Sequence, residues 1–318
     1  MARILILGGS GFIARHLVAN FSRDSDTAIV LADLEPPLWE HPETVQFRRC
    51  DVRQPIDVGE FLPSLVINLA AVHRTPGHPD SAYHATNEAG AQNVVQFCVE
   101  REVKRVWFTS SIAVYGPTES PRDESSPVEP ESAYGKSKVK AEEIHRDWAT
   151  SQADAHLVIA RPATVFGPGE GGNFTRLANT LASRTFFYPG RKDTVKACGY
   201  VGDLVNSFAH MERFATPHVT YNFAYPDAPT IQQICEAFHR AGGLPRPFVT
   251  VPRPLLMTAA KVLNRLGKAD FDPRRVEKLV RSTNIVPNGL IDTKFDYETT
   301  LDSALARWLD SPPVGSFS

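Results

Sequence analysis

Three residues in this sequence have the types and spacing for proton transfer beside a hydride exchange. The run Tyr134-Gly-Lys-Ser-Lys138 sets a phenol and an ammonium four positions apart, on one face of a helix. The ammonium's charge draws the phenol's pKa down. A phenol poised in this way gives or takes the proton of an alcohol while hydride moves to nicotinamide, and Lys138 can also hold the nicotinamide ribose. Ser111 stands 23 positions before Tyr134, at the end of the apolar run that starts at Arg105. Its hydroxyl can donate to a carbonyl oxygen as that oxygen gains charge. A tyrosine and lysine at this spacing recur by chance in many helices, so their meaning depends on the elements around them.

A second constellation supplies that context. Gly8-Gly-Ser-Gly11-Phe12-Ile13-Ala14 follows an apolar strand and opens a helix. Glycines there permit a tight turn and close approach of a pyrophosphate, and the helix N-terminus offers free N–H groups to the anion. Asp33 ends the next strand, where a carboxylate binds both hydroxyls of an adenosine ribose and repels a 2′-phosphate. Leu34, Glu35 and Pro36 follow it, with no arginine to receive that phosphate. The pair favours NAD over NADP.

The elements that must position these groups alternate. Strands are expected at Arg3–Leu7, Thr27–Asp33, Val45–Asp51, Leu65–Leu69, Arg105–Ser110 and His156–Ala160, with helices at Phe12–Arg23, Ser81–Val99 and Ser132–Ser151. Alternation of this kind implies right-handed crossovers and a parallel sheet covered on both faces, an α/β, Rossmann-like, doubly wound fold. After the loop Gly167–Gly172 helices dominate: Phe174–Ser183, Asp203–Phe214, Thr230–Ala241, Leu255–Leu266, Asp272–Arg281 and Thr299–Leu309. We therefore expect an NAD-binding domain over residues 1–165, to which a segment near 195–225 (His218–Phe223 above all) returns. Residues 166–318 form a smaller, mainly helical substrate domain, with Ser311–Ser318 a frayed tail.

Bulk properties exclude several classes. The net charge of −2 over 318 residues lacks the basic excess of a nucleic-acid binder. Cys50, Cys98, Cys198 and Cys235 are far apart and form no C-x-x-C pair, so no metal site or disulfide framework is expected and reduced, cytoplasmic thiols fit. The N-terminal apolar run is too short for a signal peptide, and no run reaches the roughly 20 apolar residues of a membrane span. The amphipathic stretch Pro254–Leu266 reads as a helix packed on the second domain, with contact to a membrane surface as the alternative.

Taken in order, Gly8–Ala14, Asp33, Cys50-Asp51-Val52, Asn68–Ala71, Asn87, Ser110–Gly116, Tyr134–Lys138 and Arg161–Pro168 resemble the extended short-chain dehydrogenases/reductases, within them the sugar-nucleotide epimerase/dehydratase group typified by UDP-glucose/UDP-galactose 4-epimerase. The resemblance covers about the first half of the chain and is looser beyond it, through Tyr200–Val205. It implies that Gly8, Gly11, Phe12, Ile13, Asp33, Tyr134 and Lys138 hold NAD, with Asp51 and Val52 near the adenine and Leu69, Ala70 and Ala71 along the cofactor's middle. It makes Ser111, Tyr134 and Lys138 catalytic and Asn87 a brace near the site. For the substrate, a UDP- or dTDP-linked sugar, it implies Ser111, His73, Asn173 and Lys196, with Arg191 and Lys192 competing for the diphosphate. It further implies a homodimer built on the Tyr134 helix.

Three chemistries fit such a site: 4-epimerisation, 4,6-dehydration and reduction of a keto sugar. Dehydratases of this type carry acidic residues after the strand-five hydroxyl, and here Ile112 and Ala113 cannot move protons. An epimerase regenerates its cofactor each cycle and benefits from tight NAD, which Asp33 favours over a reductase. Many relatives carry Asn at the position of Thr164 and His at that of Asn68, so the identity of the sugar stays open. A protein that senses NAD without turnover is the remaining class; the complete Ser111–Tyr134–Lys138 set weighs against it.

Overall fold

The computed structural model describes residues 2–73, 77–265, 277 and 279–318. Among the described residues thirteen strands follow in chain order: β1 (Arg3–Leu7), β2 (Ala28–Asp33), β3 (Gln46–Arg49), β4 (Leu65–Asn68), β5 (Arg105–Thr109), β6 (Thr118–Arg122), β7 (His156–Pro162), β8 (Thr164–Phe166), β9 (Tyr188–Pro189), β10 (Cys198–Tyr200), β11 (His218–Phe223), β12 (Thr250–Val251) and β13 (Thr283–Ile285). Seven of them form one sheet in the order β11-β7-β5-β4-β1-β2-β3, and every pair in it is parallel. The chain thus reverses direction between β1 and β4, the switch point at which open α/β sheets bind their ligands.

Burial on both faces explains the unbroken apolar strands. In β1, Ile4 and Ile6 join one core with Leu17, Val18 and Phe208. Leu5 and Leu7 join the opposite core with Val94, Phe97, Ala141 and Trp148. Successive strand residues face opposite sides, so a strand covered twice has no polar alternation. The helices Phe12–Phe21 and Val201–Glu212 cover the first face, and Gly90–Glu100 and Ala133–Ser151 the second. A third core, with Phe166, Phe174, Tyr200, Phe238, Leu305 and Trp308, lies in the C-terminal half. His218–Phe223 returns to the main sheet as its edge strand, beside β7.

The structure differs from expectation in two places. The helix expected over Ser81–Val99 contains a π-helical stretch, His84–Ala89, between α-helical Asp80–Tyr83 and Gly90–Glu100. The tail is anchored, since Phe317 is buried edge-on against Phe238 and Trp308 and the Ser318 carbonyl accepts from the Gly169 amide at 2.9 Å. One buried aromatic ring outweighs the fraying of a short polar tail. The helix expected over Asp272–Arg281 lies largely outside the described residues. Among the described residues no helix is long and apolar enough to cross a membrane, and no group of side chains could hold a metal ion.

Candidate active site

The glycine turn sits hard against the sheet. Gly8 has φ +75°, and a Cβ there would lie 2.8 Å from the Ala70 nitrogen; one at Gly9 would lie 2.8 Å from the Ile6 carbonyl oxygen. Any side chain would push the loop off the ends of β1 and β4. Gly11 caps the helix Phe12–Phe21 without a side-chain bond, so the first amides, at Phe12 and Ile13, are available to an anion. Asp33 stands across the loop. Its carboxylate accepts from the Ser10 amide at 3.0 Å and the Leu34 amide at 2.7 Å. A cradle closed to side chains, with a carboxylate at the end of β2, fits the pyrophosphate and ribose of a dinucleotide.

Further along the same edge, Leu69 donates its amide to the Leu7 carbonyl and Ala70 donates to the Asn68 side chain. Ala71 continues this loop, half-buried. Val52 is buried and touches the Gly90 turn closely enough that a Cβ at Gly90 would come within 3.0 Å of it. Asp51 is held in a fork by Arg53, at 2.6 to 3.0 Å, and this hydrogen bonding keeps its carboxyl below the usual range. Asn87 bridges two elements: its amide pairs with the Val72 backbone at 2.9 and 3.1 Å and donates to Ser137 on the Tyr134 helix at 2.9 Å. His73, next in chain after Val72, is exposed.

The structure brings Ser111, Tyr134 and Lys138 together. Ser111 caps the short turn Ile112–Tyr115, its Oγ accepting from the Ala113 amide at 3.1 Å, and its hydroxyl lowers the pKa of the Tyr134 phenol. Ser132 caps the helix Ala133–Ser151 by accepting from the Gly135 amide at 3.0 Å. Lys138 lies one turn on, 1% exposed, with Nζ 4.5 Å from the centroid of the Phe108 ring. The ionisation differs from expectation. Burial pushes the phenol up to about 12 against the opposing Ser111 hydroxyl, and burial draws Lys138 down to about 7 against the pull of Glu142.

Beneath the pair runs a buried network to which sequence reasoning gave no role. Arg161 grips Glu142 with two bonds of 2.7 and 2.8 Å, Arg146 adds one at 2.5 Å, and Ser110 donates to the same carboxylate at 2.5 Å. Arg161 also donates to the Tyr115 hydroxyl at 2.7 Å, which donates to Asn222 on β11 at 2.9 Å. Burial pushes the Glu142 carboxyl up, but the bonds and charge of Arg161, with Ser110 and the charge of Arg146, together hold the group below its usual range. The i, i+4 spacing of Glu142 and Arg146 on one helix was a local sequence signal, whereas Arg161, quoted only inside a longer stretch, is a partner of tertiary structure. Asn68 meets the buried His145 ring at 3.3 Å.

The residues expected at the substrate divide. Lys196 is half-buried, donates to the Arg281 carbonyl at 2.7 Å and is drawn down to about 8 by burial. Arg191 reaches Glu119 and, at 2.8 Å, Ser282, while Lys192 lies over the Tyr188 ring at 5.3 Å. Arg281, which the sequence reading passed over, joins this group and pairs in a fork with Glu131 at 2.7 and 2.9 Å, three residues before Tyr134. Asn173 starts the helix Asn173–Ala182, exposed, and accepts from Arg176 at 2.9 Å; no contact joins it to the cation cluster among the described residues.

Comparison with known proteins follows this geometry. The profile of the "NAD dependent epimerase/dehydratase family" matches residues 4–224. The chain is similar to N-acetyl-alpha-D-glucosaminyl-diphospho-ditrans,octacis-undecaprenol 4-epimerase of Escherichia coli, 28% identical over 313 residues, 96% of this chain and 94% of the relative. It is also similar to a decarboxylating sterol-4-alpha-carboxylate 3-dehydrogenase of Saccharomyces cerevisiae, 30% identical over 182 residues and about half (52%) of each chain. Among solved structures, UDP-glucuronic acid 4-epimerase from Bacillus cereus in complex with NAD superposes with a TM-score of 0.73 at 19% identity, over 97% of each chain. With a profile match across more than half its length, the chain belongs to the NAD-dependent epimerase/dehydratase family.

Proposed function

We propose that the protein is a 4-epimerase of a sugar carried on a diphosphate, with Tyr134 as acid/base, Ser111 as the donor to the carbonyl oxygen and Lys138 as the group that orients the nicotinamide ribose. The observation that carries this reading is the seating of the Tyr134 helix on the Ser111 turn at the open edge of the sheet, Gly135 against the Ala113 carbonyl, with buried Lys138 one turn behind Tyr134. NAD, the cofactor of the family, supplies the hydride acceptor when bound. Gly8, Gly11, Phe12 and Ile13 would take its pyrophosphate, Asp33 its adenosine ribose, Asp51 and Val52 its adenine end, and Leu69, Ala70 and Ala71 its middle.

The chain's own part is proton management. Tyr134 removes the proton of the sugar's 4-hydroxyl as that carbon is oxidised and returns it after the keto sugar has turned over. Ser111, whose Oγ already accepts from Ala113, points its proton at the carbonyl oxygen. Ile112 and Ala113 leave the adjacent positions without a proton carrier, which supports inversion over elimination. Lys196, Arg191 and Arg281 would meet the diphosphate, and His73 and Asn173 the sugar. A nucleotide sugar, UDP- or dTDP-linked, is the substrate expected from the sequence; the Escherichia coli relative is named for a sugar diphosphate on a polyprenol. A homodimer through the Ala133–Ser151 helix and a reducing compartment, in keeping with four buried free cysteines, complete the reading.

The test is product analysis by NMR. NAD-loaded protein is incubated with a panel of UDP- and dTDP-sugars and a prenyl-diphosphate sugar. Inversion at C4 with no net NADH supports the proposal. NADH accumulating in step with a keto product would make the protein a dehydrogenase instead.

A further inference from the structure

Of the exposed large apolar side chains, five lie on segments that adjoin the cation cluster. Phe187 and Val249 precede the paired strands β9 and β12, and the Tyr188 amide donates to the Val249 carbonyl at 2.9 Å, which sets these residues side by side. Phe248 is 86% exposed, Leu255, at the start of the helix Arg253–Arg265, 63%, and Leu279 54%. Leu279 belongs to the same surface, because Gly190 packs against both Val280 and Arg253: a Cβ there would lie 3.4 and 3.8 Å from them. Folding has left these side chains in water, at about 25 cal/mol for every Å² not buried, and exposed apolar side chains grouped on neighbouring segments point to a binding site.

The surface is continuous with charge of the right kind. The segment carrying Phe187 runs directly into Arg191 and Lys192, and the segment carrying Leu279 runs into Arg281, whose carbonyl receives Lys196. Arg281 reaches Glu131, three residues before Tyr134. The cations thus border the chain of the Tyr134 helix through Glu131 on one side and the segments carrying the apolar side chains on the other. Glu119, Glu131 and Asp193 occupy Arg191 and Arg281 in this form, so an entering diphosphate exchanges places with carboxylates.

We infer that Phe187, Phe248, Val249, Leu255 and Leu279 bind the hydrocarbon chain of a lipid diphosphate whose sugar reaches Tyr134. This rests on the epimerase reading and names its substrate class. A nucleoside in that place would need partners for its base and ribose hydroxyls, and these five side chains carry no polar atom. A flexible isoprenoid needs only apolar area.

The probe is farnesyl diphosphate, titrated calorimetrically into the full-length protein loaded with NAD, against the double variant Phe248→Ser/Leu255→Ser. Both side chains are exposed, so the fold does not depend on them; unchanged NAD affinity verifies this. The inference expects wild type to bind farnesyl diphosphate much more tightly than inorganic diphosphate. The variant should lose about tenfold or more in affinity, the scale of two buried apolar side chains, with its affinity for UDP within twofold. Equal affinity of variant and wild type for farnesyl diphosphate overturns it. So does a variant that loses only binding to anionic phospholipid vesicles, or one that only turns a dimer into a monomer; these outcomes assign the surface to a bilayer or to a second copy. Because the readout is binding, absence of C4 inversion on every sugar would remove the epimerase reading while the titration still decides the apolar site.

Discussion

Gly135 lies directly under the carbonyl oxygen of Ala113, so close that a Cβ at position 135 would fall well inside van der Waals contact of that oxygen. The helix carrying Tyr134 therefore rests on the turn carrying Ser111 with no side chain between them, and the distance from phenol to hydroxyl depends on that contact. Gly135→Ala favours the helix locally but lifts it from the turn. Displacements near 1 Å cost roughly a hundredfold in rate. We expect turnover to fall by about that factor with NAD affinity changed only a few-fold; steady-state kinetics beside NAD titration checks this, and unaltered turnover would show that the contact does not set the geometry.

Asp33 takes two backbone amides of its own loop, so its carboxylate is fixed before any ribose arrives. Asp33→Ala removes charge-assisted hydrogen bonds worth about 1.5–3 kcal/mol. NAD should bind roughly 10- to 100-fold more weakly and the preference over NADP should narrow. An unmoved preference would mean that another group selects the cofactor.

Glu142 is buried and shared by Arg161, Arg146 and Ser110. Glu142→Ala leaves Arg161 buried without its carboxylate, a loss of about 3–5 kcal/mol that urea unfolding can measure. A second readout separates positioning from simple stability. Burial already draws Lys138 down to about 7, and Glu142 opposes that shift. Without Glu142 the lysine loses its proton at lower pH, so the alkaline fall of kcat/KM moves to lower pH in the variant. A profile that keeps its position would confine Glu142 to stability.

His145 stacks on Phe108 at 4.1 Å, its Nδ1–H donating to the Ala141 carbonyl at 2.7 Å and its other nitrogen facing Asn68. Burial draws it down to about 4 from 6.5. Between those values the unfolded chain binds a proton that the folded chain refuses. Stability is therefore complete above pH 6.5 and falls as pH drops toward 4, at about 1.4 kcal/mol per pH unit for one proton. His145→Gln should flatten that part of the urea-unfolding profile; an equally steep fall in the variant would assign the acid sensitivity to other groups.

Local geometry was legible in the sequence. The glycine turn, Asp33 at a strand end and the Tyr134–Lys138 spacing are each written within one turn or one strand–helix unit, so the sheet and the group at its open edge followed from them. Contacts made across the fold were not. Arg281 reaches the cation cluster from far along the chain, and Arg161 meets Glu142 through the packing of β7 under a helix. Phe317 anchors a tail whose polar composition resembles a free end. The ionisation of Tyr134 and Lys138 is hidden for a related reason: charge proximity is visible in i, i+4 spacing, whereas desolvation depends on everything packed around the pair.

The claim at the centre is that Tyr134 moves the proton during inversion at C4. The direct measurement follows a sugar diphosphate labelled with deuterium at C4, incubated with NAD-loaded wild type and with Tyr134→Phe. The account predicts an epimerised product that keeps its deuterium in wild type. In the variant inversion should be slowed by about a thousandfold or more, the scale of a lost acid/base group, with NAD affinity within a few-fold. Inversion at an undiminished rate in Tyr134→Phe, or loss of the label to solvent in wild type, would contradict it.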